Sequence, residues 1–222
     1  MQEVRRETAV ERVAASIRSE ILGGVRAPGS AIREEQVADD LAVSRHTVRS
    51  AIGELRVEGL VETQRFRGAR VVRFDFAQAS DLQLVRTALE AEAVRILCER
   101  HGQAPWPPAV LDAAAGAVDA LEATSSSDVV AVQSAHSRIH HAIVDAAGSP
   151  RLSRLHAQLS TEVQLLLSAD RRQYSVAELV GQHRAYLASL PEQGPEAVRG
   201  HMQASLSRLY GDEAGADEPG GS

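Results

Sequence analysis

Apolar positions recur at helical spacing through most of the chain, and the exception falls in its first third. Val10, Val13, Ala14, Ile17 and Ile21 predict an amphipathic helix from Ala9, ended by Gly23-Gly24. Pro28-Gly29-Ser30 is a turn. A second, short helix from Arg33 to Leu41 carries Val37, Ala38 and Leu41 on one face. Ala42-Val43 leaves room only for a tight turn before Ser44, a good N-cap. The third helix follows with Val48, Ala51, Ile52 and Leu55 at i, i+3, i+4, i+7, and Gly59 ends it. The period then changes. Residues 60–64 and 69–73 read as two short strands, with Arg65-Phe66-Arg67-Gly68 as a hairpin tip. This order of elements describes a winged helix-turn-helix, in which the third helix enters a DNA major groove.

Beyond Phe74 the pattern is helical throughout. Residues 75–80 read as a connector. Leu82, Val85, Leu89, Ile96 and Leu97 form a stripe on a helix from about 79 to 101, and Pro105, Pro107 and Pro108 break the chain. Further helices are predicted over about 109–123, 128–147, 151–170, 175–190 and 195–210, separated by Ser/Thr-rich, Gly-Ser-Pro and polar segments. The expected fold is mainly α: a winged helix-turn-helix over 1–74, then an all-helical bundle over 81–210. An acidic, Gly-rich tail over 211–222 is expected to be disordered.

Composition narrows the function. The chain has 222 residues and no lysine, so all 24 basic residues are arginine. A Schiff-base lysine, and with it ordinary PLP chemistry, is excluded, as is the lysine of a nucleotide-binding P-loop. Aromatic residues are 3% of the chain, too few for base-stacking platforms. A single cysteine, Cys98, cannot form an internal disulfide, and the chain shows no signal peptide; both fit a reducing, cytoplasmic setting. No apolar run is long enough to span a membrane. The net charge of −6 hides an asymmetry: residues 1–74 carry a net +2, residues 75–222 a net −8, and the stretch 43–73 a net +4. That distribution points to nucleic acid as a partner of the first unit.

Ser44-Arg45-His46-Thr47-Val48-Arg49 opens the third helix. Arg45 and Arg49 lie four apart on one face, and the arginine fork matches guanine O6 and N7 or a phosphate. Val48, Ala51 and Ile52 take the opposite, core-facing side, so packing and reading are separated. Arg65 and Arg67, at a tip where Gly68 permits a sharp turn, suit phosphate or minor-groove contact. A solvated basic helix is the bland alternative, and the order of elements favours DNA reading over it. The run Ile21-Leu22-Gly23-Gly24 … Pro28-Gly29 … Glu34 … Val37-Ala38 … Leu41-Ala42-Val43-Ser44-Arg45 … Val48-Arg49 … Glu58-Gly59-Leu60-Val61 … Arg67-Gly68-Ala69-Arg70-Val71 resembles the DNA-binding domain of GntR-family transcription regulators. The resemblance implies operator contacts from Arg45, His46, Thr47, Arg49 and the wing. Glu35 stands where the family commonly has a basic residue, and Arg33 is then the candidate for that phosphate contact.

Seven of the eight histidines lie beyond Phe74. His136 and His140 are i, i+4 on one predicted helix, a common metal-ligand spacing. On spacing alone, surface or satisfied core histidines are the favoured reading. The segments 84–90, 136–150, 182–187 and 195–202 resemble the helical FCD-type effector domain of the FadR-like branch, many members of which hold a metal with one Asp and three His. The family positions fall on His136 (Asp in the family), His140, His183 and Ser205. His201, one turn before Ser205, is the candidate fourth ligand. Imidazole donors favour Zn²⁺ or Ni²⁺; the alternative is a metal-free pocket with the same polar floor.

Arg86, expected to be buried, needs an anion. Either Glu90 or the carboxylate of an effector supplies it. The expected protein is therefore a homodimeric, ligand-responsive regulator, a repressor, that binds operator DNA and a small organic acid lodged by Arg86, His136, His140 and His183. The rival is a metal-dependent hydrolase built on the histidines. It lacks the Glu that follows the first histidine of the hydrolase helix motif, since Ser137 stands there.

Overall fold

The structure is a computed structural model that describes residues 7–64, 68–102, 104–168 and 175–211. The chain divides after Arg73 into two compact units.

The first unit is a winged helix-turn-helix. Helix α1 (Ala9–Leu22) starts in a capping box: the Thr8 hydroxyl accepts from the Glu11 amide, and the Glu11 carboxylate accepts from the Thr8 amide. Helices α2 (Glu34–Asp40) and α3 (Arg45–Val57) flank a turn whose pivot, Ala42, lies at φ 51°. Two amides secure that turn: Val43 N–H donates to the Ala38 carbonyl at 3.0 Å and Ala42 N–H to that of Asp39. Leu41, expected in the core, ends α2 and is 38% exposed, because the left-handed step at Ala42 swings the chain away from the packed face.

Strands β2 (Val61–Gln64) and β3 (Gly68–Val71) pair antiparallel, as the hairpin pattern predicts. A third strand, β1 (Ala31–Ile32), was not legible, because two residues are too few to show a period of two. It pairs antiparallel with β3 (Ala31 opposite Arg70), making a sheet of order β1-β3-β2. Val13, Ile17 and Ile21 of α1, Val48, Ile52 and Leu55 of α3, and Leu60, Val61 and Val71 are all buried and form the core. Arg18 closes it on one side with a two-pronged ion pair to Glu58.

The second unit comprises, among the described residues, helices α4 (Phe76–His101), α5 (Asp112–Glu122), α6 (Val129–Ala146), α7 (Pro150–Ser168), α8 (Val176–Gln193) and α9 (Pro195–Tyr210), with a 3₁₀ turn at Pro108–Val110. Among the described residues it contains no strand. Residues 76–80, expected as connector, are the first turn and a half of α4. Asp75 accepts from the Gln78 amide while Gln78 accepts from that of Asp75, a capping box that starts the helix early. The main core gathers Val94 and Leu97 of α4, Leu121 of α5, Ile139 and Ile143 of α6, Leu190 of α8 and Val198 of α9. The buried face of α4 is not the apolar stripe expected: Val85 is 44% exposed, and Gln83, Arg86 and Glu90 face inward instead. The core around α4 is therefore partly polar, and that polarity serves the site described next. The expected tail beyond Gly211 lies outside the described residues.

Candidate functional site

In the first unit, α3 presents its N-terminal end outward. The Ser44 hydroxyl accepts from the Thr47 amide at 3.1 Å and contacts the Thr47 hydroxyl at 2.8 Å. Arg45, His46 and Arg49 are exposed while Val48, Ala51 and Ile52 on the other side are buried. The expected separation of an exposed arginine face from a packed apolar face is present. Both arginines already hold carboxylates of α2: Arg49 Nη2 lies 2.8 Å from Glu34 Oε2, and Arg45 is paired with Glu35. Arg33, exposed, is the residue that caps α2 without a side-chain hydrogen bond. Gly68, at φ 75°, takes the left-handed step that closes the hairpin; Arg65 and Arg67 lie outside the described residues.

In the second unit, α6 and α8 bring three buried histidines together. His136, His140 and His183 each offer a ring nitrogen, and the three donors lie within 4.8 Å of one another. His140 and His136 share one face of α6, as their spacing requires. The tautomers follow from their partners. His183 Nδ1 lies 2.7 Å from the Leu179 carbonyl oxygen, which only accepts, so Nδ1 carries the proton. His140 Nδ1 lies 2.9 Å from Glu90 Oε2 and likewise donates. Burial first, with the Arg86 charge adding to it, holds His140 near a pKa of about 3; burial takes His183 to about 4. Both rings are therefore neutral at pH 7, and each Nε2 is a bare lone pair.

Those two Nε2 atoms face each other at 3.2 Å. Two unprotonated nitrogens at hydrogen-bond distance repel unless a cation joins them. Tetrahedral ligands at the ~2.0–2.1 Å of a zinc–imidazole bond stand about 3.3 Å apart, so the observed spacing fits a shared divalent ion. His136 Nδ1, buried and without a hydrogen-bond partner, is consistent with the same purpose. His201 is close by: its ring packs against those of His183 and His140, with centroids 4.9 and 5.3 Å away, and stacks on Tyr186 at 4.1 Å, while the group of donors within 4.8 Å of one another comprises the other three.

Glu90 organises the floor of the site. Fully buried, its Oε1 accepts from Arg86 Nε at 2.9 Å and His156 Nε2 at 3.0 Å, and its Oε2 from His140. Burial alone would raise its pKa, but His140 and Arg86 outweigh it and hold the carboxyl well below its usual range. Glu90 thus fixes the ring of His140 as second partners do at metal sites.

A cavity of about 140 Å³ opens beside the histidines. His136, His183 and His201 line it, with Gln133, Gln182, Ser205 and Arg208; Val129, Val132, Val176 and Leu179 supply apolar wall. Arg86 does not: it is 3% exposed and committed to Glu90, so the internal carboxylate, rather than a ligand's, meets its charge. The arginine at the cavity is Arg208. Its signal was present in the sequence, since His201, Ser205 and Arg208 stand at i, i+4, i+7 on one helix face.

The family described as "Bacterial regulatory proteins, gntR family" matches residues 9–71, and the FCD domain family matches residues 81–208. The chain is a GntR-family regulator with an FCD domain. This regulator is 26% identical over 217 residues to the "Probable D-xylose utilization operon transcriptional repressor" of Paenarthrobacter nicotinovorans, covering 96% of this chain and 93% of that one. It is 29% identical over 210 residues to the uncharacterized HTH-type transcriptional regulator BphR of Paraburkholderia xenovorans, covering 89% and 84%. Among solved structures, a transcriptional regulator GntR from Rhodococcus sp. RHA1 superposes with a TM-score of 0.70 at 25% identity, over 94% of this chain and 99% of that chain. E. coli McbR/YncC shares the fold, with a TM-score of 0.67 at 20% identity over 91% and 97%. Among the described residues, no helix of this regulator is long and apolar enough to cross a membrane.

Proposed function

We propose that this regulator is a ligand-responsive repressor whose operator affinity is set by a small organic acid in the cavity of α6, α8 and α9, beside a divalent ion held by His136, His140 and His183. The observation that carries the reading is the pair of His140 and His183 Nε2 atoms facing each other at 3.2 Å, with His183 and His136 lining that cavity. An all-nitrogen donor set suits Zn²⁺ or Ni²⁺, and the ion, when bound, supplies a positive charge and open coordination positions for a carboxylate. His201 then serves the cavity wall.

Two copies of the chain read a pseudo-palindromic operator, each through one α3. Arg45 and Arg49 provide the guanine-matching forks, His46 and Thr47 further hydrogen bonds, and Ser44 and the free amides at the start of α3 a phosphate site. Arg33 and the wing residues Arg65, Arg67 and Gly68 add backbone contacts. Effector and operator must alter each other's affinity reciprocally. The covalent path between the units, Arg73 to Phe76, is short, and α4 carries Arg86 and Glu90 of the site floor. The hydrolase reading finds no support: the carboxylate beside the histidines is Glu90, engaged by three partners, and the relatives are regulators.

The test is fluorescence anisotropy on an operator selected from genomic fragments, with the zinc-loaded protein and a panel of short carboxylic acids. At least one acid is expected to change operator affinity five-fold or more. An unchanged affinity with every acid, at saturating concentration, overturns the proposal.

A further inference from the structure

Helix α2 is acidic where a DNA-facing element is usually basic. It carries Glu34, Glu35, Asp39 and Asp40 and no arginine, although the first helix of a helix-turn-helix crosses the DNA backbone. An ionised carboxylate only accepts hydrogen bonds and a phosphate has none to donate, so these side chains gain nothing from the backbone.

The two acids of its first turn differ in what they have left to offer. Glu34 is committed to Arg49: Oε2 accepts from Nη2 at 2.8 Å and from Nε at 3.2 Å, Oε1 from Nε at 3.5 Å, and its side chain is 31% exposed. Glu35 is paired with Arg45 through Oε1, makes no hydrogen bond or ion pair to another described residue, and is 67% exposed. Glu35 and Arg45 line one open surface groove. A carboxylate has about four lone-pair sites, so Glu35 keeps acceptor capacity beside the Arg45 fork.

The fork of Arg45 matches guanine, and a carboxylate that travels with it reaches the edge of the major groove. The donors there are cytosine N4 and adenine N6. Adenine sets its N7 acceptor beside the N6 donor, opposing the second oxygen of a carboxylate. Cytosine N4 has no acceptor next to it on that edge.

We infer that Glu35 is a specificity-determining residue that accepts from the N4–H of a cytosine next to the guanine read by Arg45, so that the Arg45–Glu35 pair reads two neighbouring bases as one unit. This rests on α3 being the reading helix, as proposed above.

The experiment is selection of bound duplexes from a randomised pool by the full-length, zinc-loaded protein, followed by fluorescence anisotropy on single-base variants of the selected site. Arg45→Ala identifies the guanine of Arg45, as the position where preference is lost. A neighbouring position is expected to require cytosine, with about ten-fold weaker binding for each other base. Glu35→Ala should make that neighbour indifferent. Glu35→Gln, whose amide matches adenine N6 and N7, should move the neighbour's preference from cytosine to adenine, a gain that misfolding cannot imitate. A neighbour without cytosine preference, or one that keeps it in both variants, overturns the inference. Variants that relax the guanine of Arg45 and leave the neighbour as it was overturn it as well, because Glu35 then only holds the arginine. These outcomes leave α3 as the reading helix. No selected sequence at all, or selection of the unaltered site by both Arg45→Ala and Arg49→Ala, overturns both readings.

Discussion

Replacing Glu90 by Gln isolates the charge at the centre of the second unit. The carboxylate takes three donors on two oxygens: Arg86 Nε and His156 Nε2 on one, His140 Nδ1 on the other. An amide of nearly the same shape keeps one acceptor and turns an NH₂ toward a donor. Arg86, 3% exposed, then keeps its charge without a counter-ion. Breaking a buried pair in this way costs about 3–5 kcal/mol. For a unit of this size each kcal/mol shifts the midpoint by about 3–4 °C, so Tm should fall by roughly 9–20 °C. The assay is urea unfolding followed by circular dichroism at pH 7.5 in chelator, with Arg86→Leu, Glu90→Leu and their double variant completing a cycle. The double variant should lose at least 2 kcal/mol less than the two single changes together, because it removes both charges at once. A loss below about 1 kcal/mol for Glu90→Gln, or strict additivity in the cycle, would refute the assignment of Glu90 as the hub.

Arg49→Ala should weaken operator binding by about 1–3 kcal/mol, read by gel shift, without moving the unfolding of the second unit; normal binding would mean that the reading face is misassigned. In metal-free protein the histidine cluster makes stability depend on pH. The folded pKa values of His140, His183 and His201, about 3, 4 and 2, lie below the ordinary 6.5, so the unfolded chain binds more protons. Their contribution is complete above about pH 6.5 and falls as pH drops, by roughly 1.4 kcal/mol per pH unit for each ring. Glu90, held well below its usual value, adds to the loss only below the ordinary carboxylate range. Urea midpoints that stay level from pH 7.5 to 5 would contradict this. His140→Ala should abolish stoichiometric zinc measured by elemental analysis and His201→Ala should retain it; equal loss in both would place His201 among the ligands.

Much of the fold was written in strong local signals. The α3 stripe Val48, Ala51, Ile52 and Leu55 is buried as its spacing requires, and Ser44 caps the helix as its residue type suggests. Strand β1 escaped because its pairing is tertiary: Ala31 and Ile32 are extended through β3, far along the chain. On α4, Leu82 and Leu97 are buried as expected, but the face that carries Leu84 and Val85 is exposed, because the inward positions belong to Arg86 and Glu90. Hydropathy cannot report a buried charge whose partners lie 50 and 66 residues away in His140 and His156. The histidine trio was legible through the i, i+4 pair and the resemblance. The stacking of His201 on Tyr186 was not, since it depends on how α8 and α9 pack.

The carboxylates of α2 bear on how this regulator moves along a chromosome. Arg45 and Arg49 are paired with Glu35 and Glu34, so on the reading proposed above engaging a phosphate would mean exchanging one anion for another. Random duplex would then offer little net electrostatic reward, and residence on it is expected to be brief. A matched site adds the directional guanine contacts that a glutamate cannot imitate, so the acids act as a filter against loitering on the wrong sequence.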